Sequence, residues 1–324
     1  MTDGSRKAII AAFFANLGIA IAKFVGFVIT GSAGMLAESV HSLADTGNQG
    51  LLFLGGNRAK RVATTEHPFG YGRERYFWAF SVALVLFSMG GLFALYEGID
   101  KFRHPHEVES LWVAIGILVF GLALEGFSLR TAVKEARHTK SNTVSWWKFI
   151  RNSKQPELPV VLLEDTGAEL GLLFALFGVI MAKVTGDGRW DAVGSMAIGL
   201  LLIAIAVLLI IEMKGLLIGE SASADDRRGI VSAIEGSPHV GHLIHLRTQH
   251  LGPEEILVAA KVEFESTLTF AELSRAIDAT EVNIRAAVPA ARVIYIEPDV
   301  KRPDEPAPEP GDPPGDQPDD ETDH

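Results

Sequence analysis

Residues 38–49, Glu-Ser-Val-His-Ser-Leu-Ala-Asp-Thr-Gly-Asn-Gln, constrain this chain most, because they lie inside an apolar run, 33–56, long enough to cross a bilayer. His41 and Asp45 stand four residues apart, a spacing that puts both on one face of a helix. An imidazole and a carboxylate in hydrocarbon are costly, and such groups persist where they find a partner and a task. A second polar stretch, with Glu164, Asp165 and Glu169, interrupts another apolar run at 158–182. Together the two predict a divalent-metal site between two transmembrane helices.

Six runs have the length and composition of spans: 8–29, 33–56, 76–99, 110–129, 158–182 and 191–213. The first is longer than the apolar core of a signal peptide, so it is expected to stay as a span. The hydrophobic content of 48% is bunched into these runs rather than spread, which predicts an α-helical polytopic membrane protein. Six spans place both termini on one side. Arg58, Lys60, Arg61, Arg73 and Arg75 follow the second span, and Arg130, Lys134, Arg137, Lys140, Lys148, Arg151 and Lys154 follow the fourth. The opposite loops carry only Lys101, Arg103, Lys183 and Arg189. The positive-inside rule therefore puts both termini in the cytoplasm, with a bacterial inner or plasma membrane as the expected location.

Other polar groups in the spans have plainer expectations. Asn16 fits an interhelical hydrogen bond, Lys23 a snorkelling side chain, and Glu125 a buried, hydrogen-bonded acid, while Glu97 lies near a span end. The loop at 67–75, His-Pro-Phe-Gly-Tyr-Gly-Arg-Glu-Arg, turns tightly before the third span, and its His67 is a surface His or a point of metal entry. His104-Pro105-His106 is a weak metal signal, and Trp146 with Trp147 fits an interfacial belt.

After the sixth span the composition becomes that of a soluble domain, expected over 215–300 with the transmembrane domain at 1–214. A short helix at 224–234 precedes a strand near 245–248. Ile256, Val258, Ala260, Val262 and Phe264 then alternate with polar residues as in a half-buried strand. Thr269 and Glu272 form a capping box before an amphipathic helix, and 292–297 is a last strand. A small α+β domain in the order helix, strand, strand, helix, strand follows, with a core thin enough to profit from dimerisation. The remaining stretch, 301–324, carries nine acidic residues against Lys301 and Arg302, hence −7 of the formal −11, with seven of the 15 prolines. It reads as a solvated, disordered tail, and no nucleic-acid partner is implied.

With no cysteine, only His, Asp and Glu remain as strong metal ligands. Counted at about 1.5 Å per residue, Asp45 and Asp165 fall at one depth and Glu169 beside His41, while Glu164 sits on a neighbouring face. His41, Asp45 and Asp165 are thus the firm candidates, and the fourth ligand is Glu164 or Glu169. One imidazole with carboxylates suits Zn2+, and a carboxylate-heavier set also takes Mn2+ or Fe2+. Such ligands bind metal only when deprotonated, so metal and protons compete, and a site opened to each side in turn exchanges one for the other. A hydrolase would need a general base beside an open metal position, and no His-Glu-x-x-His is present. A sensor that binds its ion without moving it is the remaining alternative.

The stretches 38–45, 164–171 and 191–202, with the domain at 219–299, resemble the cation diffusion facilitator family of metal efflux transporters. The 67–75 loop and the Glu164-Asp165 pair are most similar to its branch containing the mitochondrial-type zinc transporter. The resemblance implies a homodimer exporting Zn2+ in exchange for protons, with a metallochaperone-like cytoplasmic domain packed across the dimer. It matches His41 and Asp45 to the ligand pair of the second span and Asp165 to the Asp of the fifth. Family members with a standard zinc site carry His one turn before that Asp, where this chain has Val161. Where relatives place metal ligands in the cytoplasmic domain it has Lys261, Tyr295 and Glu297, with His239, His242, His245 and His250 nearby. This departure from the relatives makes a dimerisation domain without bound metal the expectation, with a regulatory metal site at those histidines as the alternative.

Overall fold

The computed structural model of the chain describes residues 3–105, 110–140 and 144–300, apart from the side chains of 3–16, 111, 135, 138 and 139. The tail at 301–324, His106 and the side chain of Asn16 lie outside the described residues. The chain divides into two compact units, Met1–Ile218 and Gly219–His324.

The first unit is helical. Helices α1 (Asp3–Thr30) and α2 (Ala33–Arg58) are followed by one continuous rod, in which α3 (Glu74–Val85) passes through a π-helical segment, Leu86–Leu92, into α4 (Phe93–Arg103). Then come α5 (Leu111–Thr139), the short α6 (Trp146–Asn152), α7 (Glu157–Thr185) and α8 (Arg189–Ile218). Among the described residues four helices are long and apolar enough to cross a membrane, Glu74–Arg103, Trp112–Lys134, Glu157–Thr185 and Arg189–Ile218, and Leu17–Thr30 is a shorter apolar helix. Helix α2 has the length but not the apolarity, because Glu38, Ser39, His41, Ser42, Asp45, Thr46 and Asn48 fall within it. That deficit is itself informative, since Glu38, His41 and Asn48 are fully buried.

Apolar side chains lie on both sides of this unit. Met35, Tyr76, Leu172, Leu202, Leu209 and Met213 pack inside, and Val28, Phe120, Phe127 and Leu200 face outward. An exterior of this kind is stable against hydrocarbon rather than water. Without a hydrophobic drive between helices in lipid, close backbone approach supplies the packing. A β-carbon at Gly199 of α8 would lie 2.6 Å from the Leu95 backbone nitrogen and 2.9 Å from the Gly91 carbonyl oxygen. Only a hydrogen fits there, so the π-containing rod lies directly on α8. On the fourth loop, Phe149 of α6 packs with Ala136 and Leu162, while Trp147 stays exposed.

In the second unit, α9 (Ala224–Glu235), β1 (Val240–Gly252), β2 (Glu255–Phe264), α10 (Phe270–Ala287) and β3 (Ala291–Pro298) follow in order. The sheet runs β1-β2-β3, with the first pair antiparallel and the second parallel, so Val258 stands opposite Thr248 on one side and Ile294 on the other. The parallel pair needs a long crossover, which α10 provides. Its start carries the expected capping box, Thr269 with Glu272. Ile256, Val258, Ala260 and Val262 alternate inward onto Ile230, Ile234 and Ile284. Strand β1 is much longer than 245–248: it pairs along most of β2, and that pairing rather than its own His-rich pattern holds it extended.

Candidate metal site

The depth of α2 is set at its first residues. Ser32 caps the helix, its Oγ accepting from the Met35 N–H, and the same hydroxyl donates to Asp191 Oδ1 of α8 at 2.6 Å. The Ala33 N–H donates to Asp191 Oδ2 at 2.7 Å, and Lys101 of α4 lies 3.0 Å from that oxygen and also donates to the Gly31 carbonyl. Asp191 is fully buried and Lys101 nearly so. One carboxylate thus fixes the entry of α2 to both α4 and α8.

Farther along α2, His41 Nδ1 is 3.5 Å from Asp45 Oδ1, as the i,i+4 spacing requires. Asp45 continues across to α7, where it lines one cavity with Glu164. Asn48, one turn on, donates from Nδ2 to Glu164 Oε1 at 2.8 Å. Asp165, the next residue of α7, accepts from Ser128 Oγ of α5 at 3.0 Å. Asp45, Glu164 and Asp165 therefore meet around one cavity of about 30 Å³, completed by Ser42, Ser128 and Glu125. This is room for one ion or a water molecule. Val161, where a His would have added a ligand, also lines the wall.

Two of the candidates lie outside that wall. His41 is fully buried with neither ring nitrogen hydrogen-bonded, and it faces the π-helical segment, where a β-carbon on Gly90 would be 3.8 Å from Nδ1. It touches the cavity only through Asp45. Glu169 of α7 lies against α5, its carboxyl oxygens 3.5 and 3.6 Å from where a β-carbon on Gly126 would be. Among the described residues no three His, Asp or Glu side chains form a closed metal-binding cluster. What the fold brings together is Asp45, Glu164 and Asp165. Asp45 Oδ1, Asn48 Oδ1 and both nitrogens of His41 are buried without a hydrogen-bond partner. Buried lone pairs in that state are rare in proteins and call for an ion, a proton or a water.

Glu125 gains weight from the structure. It lines the cavity and interacts electrostatically with Asp45, Glu164, Asp165 and Glu169 alike. Lys23 does not snorkel: it is buried, with its ammonium on Glu38, Ser42 and Glu125. The sequence signal for both is their depth in apolar runs, 8–29 for Lys23 and 110–129 for Glu125.

In the second unit the histidines disperse. His239 pairs with Glu265 at 3.1 Å, His245 Nε2 accepts from Arg247, and His250 is buried against the Gly252 carbonyl. Lys261 is held on Asp299 and Glu297, which raises its pKa above the usual lysine value.

A family model described as the cation efflux transmembrane domain matches residues 9–218. Among curated relatives, the mitochondrial proton-coupled zinc antiporter SLC30A9 of Homo sapiens is 32% identical over 263 residues, 81% of this chain and 46% of that protein. Its counterpart in Xenopus laevis is 34% identical over 263 residues, 81% of this chain and 47% of the relative. Zinc transporter ZitB of Escherichia coli (strain K12) is 25% identical over 260 residues, 79% of this chain and 76% of that protein. The chain spans about half the length of the SLC30A9 relatives it matches.

Proposed function

The chain belongs to the cation efflux family, and from that premise we propose that it exports a divalent metal ion, Zn2+ first, in exchange for protons by alternating access. The observation that carries this is the cavity between α2, α5 and α7, where Asp45, Glu164 and Asp165 converge and where Asp45 Oδ1 is buried without a hydrogen-bond partner beside an equally unpartnered imidazole. Asp45, Asp165 and Glu164 supply carboxylate ligands, and His41 joins through a small rotation about the Asp45 side of α2. Glu169 is the alternative fourth ligand. Each must give up its proton to bind metal, so loading the ion and releasing protons are one event.

In this reading α1, α2, the rod Glu74–Arg103, α5, α7 and α8 are six spans with both termini in the cytoplasm of a bacterial cell, and the second unit is a metallochaperone-like dimerisation domain. The names of the relatives, zinc antiporter and zinc transporter, support Zn2+ as substrate and protons as counter-ion. The predominance of oxygen ligands around the cavity favours a second substrate set, Mn2+ or Fe2+, under the same mechanism. Reconstitution into vesicles with an imposed pH gradient tests the proposal. Zn2+ uptake should follow the gradient and be lost in Asp45→Ala, and metal binding without flux would instead identify a sensor.

A further inference from the structure

A lysine has no obvious business at the centre of this unit. Lys23 lies seven residues before the end of α1 at Thr30, about 10 Å along the axis. Its side chain is 1% exposed. The ammonium donates to Glu38 Oε2 at 3.1 Å and to Ser42 Oγ at 2.7 Å, and Glu125 Oε1 lies 3.6 Å away. Pairing with Glu38 alone would balance its charge, Glu38 Oε2 taking the ammonium while Oε1 lies buried against Gly171 of α7. The contact with Glu125 is therefore surplus to holding α1 on α2. Both Ser42 and Glu125 form part of the cavity wall, as does Ile19, one turn before Lys23. The ammonium thus stands directly behind the wall, anchored from the rear by Glu38 and reaching forward to a carboxylate that faces the candidate ligands.

We propose that Lys23 is a tethered cation that competes with the transported ion for Glu125 and thereby sets both the affinity and the charge selectivity of the cavity. This rests on the transport reading above. With the cavity empty, Glu125 belongs to Lys23. An entering monovalent cation offers Glu125 no more charge than the lysine already does and gains little from displacing it. A divalent ion at the same distance attracts it twice as strongly, since the Coulomb energy scales with charge. Glu125 then turns to the ion while Lys23 stays on Glu38. When the ion leaves, Lys23 takes Glu125 back, so the site never binds so tightly that release fails. The charged groups around the ammonium are Glu38 and Asp45 from α2 and Glu125 from α5, and the mechanism requires no change in the charge of Lys23 itself.

The test measures Zn2+ affinity of the full chain in detergent by calorimetry. Lys23→Met combined with Glu38→Gln removes the ion pair without stranding a buried charge. It should tighten Zn2+ binding by about tenfold, and Lys23→Arg, which keeps the charge, should restore the wild-type affinity. In an Glu125→Gln background the double change should have no effect on affinity, because the contested carboxylate is gone. Thermal unfolding of each variant reports folding separately. A folded double variant with unchanged or weaker affinity overturns the inference, as does tightening that persists without Glu125. Failure of the wild-type chain to bind Zn2+ or to carry it into vesicles overturns the transport reading itself.

Discussion

Asp191→Ala should be among the most destabilising single changes in the helical unit. The carboxylate receives the Ser32 hydroxyl at 2.6 Å, the Ala33 amide at 2.7 Å and the Lys101 ammonium at 3.0 Å, all in buried surroundings. Removing one partner of a buried ion pair costs about 3–5 kcal/mol, because the other charge is left without compensation. An unsatisfied hydroxyl and amide each add about 1–3 kcal/mol, although they overlap with the first loss when the N-terminus of α2 relaxes. A total on the order of 5 kcal/mol is expected. The assay is equilibrium unfolding in mixed micelles followed by tryptophan fluorescence, for which Trp190, set edge-on to Phe177 at 6.0 Å, is a reporter beside the mutated residue. Adding Lys101→Met removes the stranded ammonium and should return about 2–3 kcal/mol of the loss. A loss below about 1 kcal/mol, or a double variant no better than the single one, would refute the idea that this carboxylate pins α2 to α4 and α8.

Two further outcomes follow from particular contacts. Glu164→Ala should weaken Zn2+ binding at least about tenfold, since even residues that only support metal ligands are worth that much. Glu169→Ala should change affinity little, and a calorimetric titration giving the opposite order would move the fourth ligand to Glu169. In the second unit, the Thr269 side chain and backbone hold the Glu272 carboxyl below its ordinary pKa of 4.5. The stability this adds is present above pH 4.5 and is lost as pH falls through the lowered folded value. Protection of the first turn of α10 from hydrogen exchange, taken relative to intrinsic rates, should therefore fall as pH drops below 4.5, and Thr269→Ala should weaken that pH dependence while costing about 1 kcal/mol.

Much of the fold could be read from patterns that act locally. Apolar length marks a helix that must satisfy its own backbone in lipid, and the ends of α2, α7 and α8 fall within a few residues of the runs that announced them. Alternation in 256–264 and the Thr269–Glu272 box likewise work over a few residues, and both appear in place. What escaped depends on partners far away in sequence. The length of β1 comes from β2. The π-helical segment has no strong local signature; it occurs where the rod lies on α8 with Gly91 against Gly199, and that contact is a property of two helices together.

The candidate site divides along a different line, between depth and direction. Counting residues gives height along a helix, and it brought Asp45 and Asp165 to one level. Direction turns by about 100° per residue, so Glu164 and Glu169, five apart, point about 140° from each other, and one cavity on α7 cannot readily use both. The wall holds Val161, Glu164 and Asp165, whereas Glu169, about 40° round from Asp165 and one turn farther along, lies beyond it against α5. On α2 the same rule separates His41 from Ser42 by about 100° with Asp45 between them. The cavity lies on the Ser42 side and the π-helical segment on the His41 side. Asp45 is therefore the hinge of the site, within reach of the imidazole on one flank and of the α7 carboxylates on the other. In the proposed transport cycle, a rotation of α2 by a fraction of that angle would carry His41 toward the cavity and so would couple metal ligation to helix movement.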